Sequence, residues 1–351
     1  MLFYILIPTV LLLRSLLAHA APHHPLSPRQ SNSTTSSTVG PHRVVVYYQH
    51  QYTAQGKDVP TSQWGEYISP LPLAGKATHL NLAAIHVNDH DAPAVITIND
   101  NAPSDPAFDA MWADIGALRA AGVPVLGMLG GAQPGGCFWR LSQAGGTFDT
   151  YYPYLRDFVD KYQLDGLDLD VEELQLGARI PYSLADMQHL IATLKADFGN
   201  TFLITQAPVA RALSDADPAG YISGFSYVDL ERAAGASIAW YNAQFYEGWG
   251  PFDADEGVEL YEAIVRAGFA SDKVVAGTAS NPANVAQDDG QYVDVAEVAG
   301  TVVPELVREF GTGNATGFGG VAAWEYYNAL PGGTKDPSRW AAVMRDAMAG
   351  A

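Results

Sequence analysis

Residues 165–172 read Asp-Gly-Leu-Asp-Leu-Asp-Val-Glu, so Asp168, Asp170 and Glu172 stand at every second position, with Asp165 three places earlier. In an extended strand, successive side chains point to opposite faces. The three acids then share one face, and Leu167, Leu169 and Val171 share the other. Carboxyls held close together cannot all ionise, and partial burial adds to the effect, so at least one of them keeps its proton to a higher pH. A carboxyl protonated near neutrality is a general acid. Glu172, nearest the strand's C-terminal end, is the expected donor. Asp170 stands beside it, and Asp168 lies deepest as the partner that tunes their charge.

Acids of this kind need a scaffold that holds one strand face against a cavity. Short apolar runs at 43–48, 79–87, 123–129, 166–172, 202–208, 239–246, 273–278 and 320–324 read as strands. Helical periodicity separates most of them, at 106–121, 148–162, 183–198, 256–267, 295–310 and 337–348. Ser183 ahead of Asp186 has the pattern of a helix N-cap. Eight strands with intervening helices over 43–351 predict an α/β chain with a single (β/α)8 TIM barrel, whose catalytic groups sit at the C-terminal strand ends. An open doubly wound sheet would call for a glycine-rich turn after the first strand, where Tyr47-Tyr48-Gln49-His50 stands instead.

The spacing also restricts the mechanism. Glycosidases with two working carboxylates place them on either side of the bond to be cut. Asp170 and Glu172 come from one face of one strand. The nucleophile is then expected from the substrate, and a 2-acetamido group is the natural candidate. On the strand at 239–246, Asn242, Gln244 and Tyr246 alternate with Tyr241, Ala243 and Phe245, which places an amide and a phenol within reach of an acetamido carbonyl. Trp324, near the mouth of the last strand, can floor a sugar site with its indole, and Tyr47 on the first strand can close the opposite side.

Other readings of these residues are weaker. The acids lack the spacing of an EF-hand loop, and a magnesium–carboxylate site is disfavoured on the same grounds. Gly130-Gly131 and Gly135-Gly136 are not followed by Lys-Ser or Lys-Thr, so they are expected to let backbone approach a sugar rather than cradle phosphate. No cofactor and no metal is called for.

The 351 residues carry 38 Asp and Glu against 19 Lys and Arg, a formal net charge of -19. Such a surface is a poor partner for nucleic acid or an anionic membrane and tolerates a neutral substrate. Residues 1–20 have the apolar run and the Ala18-His19-Ala20 end of a signal peptide, and 21–42 form a leader rich in Pro, Ser and Thr. Asn32-Ser33-Thr34 and Asn314-Ala315-Thr316 are glycosylation sequons. The single cysteine, Cys137, excludes an intramolecular disulfide and is expected to be a buried filler. The expectation is a secreted monomer with no stable membrane association.

The segment 165–172 resembles the signature of glycoside hydrolase family 18 at every fixed position. Gly127-Met128-Leu129-Gly130-Gly131 is similar to the glycine motif of that family's third strand. Gln244-Phe245-Tyr246 is similar to the sixth-strand motif of its small members, and Gly319 to Tyr326 to its eighth-strand Trp motif. The resemblance implies that Glu172 is the acid/base and that Asp170, backed by Asp168, orients the acetamido group. It implies that Gln244 and Tyr246 contact that group and that Trp324 lies under the ring. The reaction implied is hydrolysis of a β-1,4 bond beside N-acetylglucosamine, with retention. Too few residues separate Gly277 from Gly320 for the extra α+β insertion of larger chitinases, which implies an open groove. The stretches Trp240-Tyr241-Asn242 and Trp324-Glu325-Tyr326-Tyr327-Asn328 look most like secreted fungal endo-β-N-acetylglucosaminidases, which cut the chitobiose core of N-glycans. A chitinase is the alternative, and an inactive sugar-binding lectin is a remote one, because lectins on this scaffold lose the acid that Glu172 supplies.

Overall fold

A strand covered by helices on one side and by its own barrel on the other must serve two environments, and the chain meets this by alternation. Leu167 and Leu169 pack outward in the layer between sheet and helices, as do Val44, Val46, Tyr48, Val321 and Ala323. Their neighbours Val45, Tyr47, Leu126, Met128, Trp240, Val275 and Ala322 form a second, inner cluster. The computed structural model describes residues 42–132, 137–172, 182–214, 222–286, 291–311 and 317–351. The expected signal peptide, almost all of the leader, both sequons and Gly135-Gly136 lie outside these residues.

The strands are β1 (Arg43–Tyr48), β2 (His79–Val87), β3 (Ile96–Ile98), β4 (Val125–Gly130), β5 (Gly166–Asp170), β6 (Leu203–Gln206), β7 (Trp240–Gln244), β8 (Val274–Ala279) and β9 (Gly320–Trp324). All but β3 pair in parallel in chain order, and β9 returns to β1 to close the ring. The fold is a (β/α)8 barrel. β3 departs from the repeat by pairing antiparallel with β2, Ile85 facing Ile98. Its three residues carry too short a pattern to separate from a loop, and it was not expected.

The helices are α1 (Asp109–Ala120), α2 (Phe148–Lys161), α3 (Leu184–Phe198), α4 (Tyr227–Ala234), α5 (Glu256–Arg266), α6 (Val295–Glu297), α7 (Val303–Phe310) and α8 (Arg339–Ala349). α2 buries Phe148, Tyr151, Tyr152, Leu155, Phe158 and Val159, the apolar face read from the sequence. Ser183 caps α3 in a reciprocal box: its Oγ accepts from Asp186 N at 3.1 Å, and Asp186 Oδ2 accepts from Ser183 N at 3.1 Å. The continuous helix expected at 295–310 contains a π-helical stretch, Val298–Val302, between α6 and α7. α4 was missed. Among the described residues no strand lies between β8 and β9, and no helix is long and apolar enough to cross a membrane. Cys137 is buried.

The expected fourth barrel strand, 166–172, ends at Asp170, so Glu172 lies two residues past it. The reason is the neighbouring strand. Gly130, the last residue of β4, pairs with Asp170 and turns with φ 104°, while Gly131 N donates to Asp170 O at 2.9 Å. A Cβ on Gly130 would sit 2.1 Å from that same carbonyl oxygen. The glycine pair thus lets β4 approach the backbone of Asp170.

Candidate active site

Alternation sends every second side chain of β5 inward, which buries Asp168 completely and leaves Asp170 6 % exposed. A buried carboxylate needs donors, and three strands supply them. Tyr47 of β1 donates its phenolic hydrogen to Asp168 Oδ2 at 2.7 Å. Thr205 of β6 donates to Oδ1, as does Asn242 Nδ2 of β7 at 2.9 Å. Trp240 fixes which way that amide points, because its indole N–H donates to Asn242 Oδ1 at 2.8 Å. Burial still pushes the Asp168 carboxyl above its ordinary range against the pull of these donors.

Asp170 lies one step nearer the mouth. Gln244 Nε2 donates to its Oδ1 at 3.2 Å and to Ala207 O at 2.8 Å. Glu172, two residues on, is the nearest charged neighbour acting on Asp170. Burial, followed by the charges of Glu172 and Asp168, pushes Asp170 well above the carboxylate range. Burial raises Glu172 to about 6, against the pull of Gln244 and Asp170. Two neighbouring carboxyls that are both raised titrate as a pair rather than one by one.

A small open cavity lies beside Asp170, lined by Tyr47, Met128, Asp170, Ala207, Asn242, Gln244, Tyr246, Gly277 and Trp324. Trp324 ends β9 and meets Tyr47 edge to face, with ring centroids 5.6 Å apart. Tyr246 is 7 % exposed, and burial together with the charges of Asp170 and Glu172 keeps its phenol protonated. Asp170 is the one carboxylate among the described residues lining the cavity, and the wall opposite it carries none. Among the described residues no group of three or more His, Cys, Asp or Glu side chains is arranged to hold a metal ion.

No family model matches the chain. Solved structures do. It is 39 % identical to a fungal endo-β-N-acetylglucosaminidase from glycosyl hydrolase family 18, with a TM-score of 0.72, over 87 % of this chain and 97 % of that one. The chain belongs to glycoside hydrolase family 18. It is also 38 % identical to the chitinase ChiC from Aspergillus fumigatus, with a TM-score of 0.69, over 88 % of this chain and 99 % of the other. A curated relative, Exochitinase 1 of Streptomyces olivaceoviridis, is 35 % identical over 118 residues; the match spans 31 % of this chain and 18 % of that protein's length.

In this family-18 barrel the eight residues singled out from the sequence converge on one end of the ring, although β5 and β7 stop short of Glu172 and Tyr246. Asn242 has a structural part as well. Both ends of its amide are engaged, by Trp240 and by Asp168, so it supports Asp168 although it also borders the cavity. Tyr47 likewise spends its hydroxyl on Asp168 while its ring meets Trp324. Thr205 and Trp240 were missed. The register that sets Thr205 beside Asp168 follows from β5–β6 pairing, which alternation within one strand does not give.

Proposed function

We propose that this chain hydrolyses a β-1,4 bond on the reducing side of an N-acetylglucosamine residue, with retention and with the substrate's own acetamido oxygen as nucleophile. The observation that carries the reading is that Asp170 ends β5 and Glu172 follows two residues later, with no other carboxylate among the described residues lining the cavity. A retaining pair that attacks and protonates from opposite faces stands about 5–5.5 Å apart, and an inverting pair stands further apart. Two carboxyls two residues apart on one wall do not flank the bond from opposite faces.

In the first step, Glu172 gives its proton to the glycosidic oxygen as the C1–O bond breaks. The acetamido oxygen bonds to C1 and closes an oxazolinium ring. Asp170, held by Gln244, takes a hydrogen bond from the acetamido N–H and offsets the positive charge that develops there. Asp168, fixed by Tyr47, Thr205 and Asn242, is a negative charge behind Asp170 that favours this state. Tyr246 offers its hydroxyl to the acetamido oxygen, Gln244 spends its two amide hydrogens on Asp170 and Ala207 and so positions Asp170, and Trp324 is the platform beneath the ring. In the second step, Glu172, now ionised, removes a proton from water. That water opens the oxazolinium at C1 from the face the leaving group vacated, which restores the β configuration.

The substrate favoured is the chitobiose core of N-glycans, on the likeness to the fungal endo-β-N-acetylglucosaminidase. Nearly equal identity to a chitinase sustains chitin oligomers as the second reading. A panel of high-mannose glycoprotein and chitin oligomers separates the two. Oligosaccharide released from the glycoprotein, with chitin oligomers left intact, is the expected result; the reverse selects the chitinase.

A further inference from the structure

β9 ends at Trp324, so the ladder of the sheet stops where the sugar platform of the proposed reaction begins. The chain just beyond is held from both flanks. On the β8 side, Ser280 N and Asn284 Nδ2 donate to Trp324 O at 2.7 and 3.1 Å, and Ser280 Oγ donates to Glu325 O at 2.6 Å. On the β1 side, Tyr326 N donates to Tyr47 O at 2.8 Å. The side chain of Glu325 adds a charged tie across the same gap. Its Oε2 accepts from Gln49 N at 3.2 Å and from His50 N at 2.9 Å, and its Oε1 accepts from His50 Nδ1 at 2.5 Å.

Glu325 is 3 % exposed, and a buried carboxylate is costly unless its charge is met. His50 meets it. Burial disfavours a charged imidazole, but the hydrogen bond to Glu325 and the Glu325 charge outweigh burial and raise the His50 pKa. The imidazole also lies against the Tyr327 ring, with centroids 4.9 Å apart. Such a pair adds little net stability, because desolvation offsets the attraction. What it fixes is position. It joins the residue after Trp324 to the second and third residues after Tyr47, and Tyr47 and Trp324 are the rings that meet edge to face in the cavity wall. Both oxygens of Glu325 are engaged and it does not line the cavity, so it has no part as an acid acting on substrate.

We propose that Glu325 and His50 are positioning residues, an ion-paired brace that holds the Trp324 indole against Tyr47 in the orientation the sugar ring requires. This assignment rests on the reading that Trp324 floors the ring, and it names what keeps that floor still. An indole free to swing at a strand end would bind the ring less well both before and during bond breaking. Loss of the brace is then a loss of uniform binding, which raises KM more than it lowers kcat. Asp168 keeps its bonds to Thr205 and Asn242 whether or not the brace is present.

The test is a double-mutant cycle of His50→Ala and Glu325→Gln, each alone and combined with Trp324→Ala, assayed on whichever of high-mannose glycoprotein and chitin oligomers the wild type turns over. His50→Ala leaves both backbone donors on Glu325, so it removes the brace from a half-buried position even if Glu325→Gln fails to fold. His50→Ala should lose about tenfold in kcat/KM, chiefly through KM. Trp324→Ala alone should lose at least as much, and in its background His50→Ala and Glu325→Gln should change kcat/KM no further, because residues that act through one another are not additive. Full additivity with Trp324→Ala would overturn the brace and leave Trp324 as the platform. So would wild-type kinetics in His50→Ala with only a lower melting temperature. Wild-type KM in Trp324→Ala, or a wild type that turns over neither substrate, would overturn the platform reading and the brace together.

Discussion

Glu172 and Asp170 divide their work by position along three residues of chain. Glu172 sits past the strand end at the mouth, where burial is incomplete and its carboxyl is raised to about 6. Asp170 and Asp168 are held by four residues of three other strands. Glu172→Gln should therefore lower kcat by about 10²–10⁴-fold with little change in binding, as read from turnover and from ligand titration. Because the acid form of Glu172 starts the reaction, kcat/KM should fall as pH rises through about 6, the value set by the free enzyme. An alkaline limb that persists unchanged in the Glu172→Gln residual activity would remove Glu172 from this role.

At the scale of elements, the four acids of 165–172 part company. Asp165, just ahead of β5, takes two hydrogen bonds from the Arg119 guanidinium of α1, each at 2.7 Å, and one from Val125 N at 2.9 Å. It ties the end of α1 to the start of β4 and β5 and is remote from the cavity. Asp165→Ala should cost about 2 kcal/mol of stability, measured by denaturant unfolding, with kcat per folded molecule retained. Period-two alternation made the inward set legible in β5, β7 and β9 without any structure, because a side chain's face depends only on its own strand. Thr205 was illegible because its role depends on register between strands, whereas Trp240 shares the inward face of Asn242 by the same alternation and was passed over. α4 lies after a stretch of weak pattern, and β3 is too short to show a period. The strand end at Asp170 was set by the glycine turn of β4, an effect that belongs to the neighbour and not to the acid string.

Across the whole barrel, function is placed against stability. An acid whose pKa is raised in the folded state binds its proton more tightly there than in the unfolded chain. The stability it contributes is complete below its unfolded pKa and is lost as pH rises through the folded value, here about 6. Glu172→Gln should thus raise the melting temperature at about pH 8, by the equivalent of about 1–2 kcal/mol, and leave it unchanged at about pH 4. Equal gains at both pH values would show that the carboxyl is unstrained in the folded barrel.

The central claim is that the substrate attacks itself while one wall supplies both acids. It is tested most directly with aryl β-glycosides of N-acetylglucosamine whose acetamido methyl carries none, one, two or three fluorines. Each fluorine drains charge from the amide oxygen while leaving its shape nearly constant. If that oxygen is the nucleophile, kcat/KM falls steeply along the series. A flat series, with the β anomer still the first product, would place the nucleophile on the protein and contradict the account.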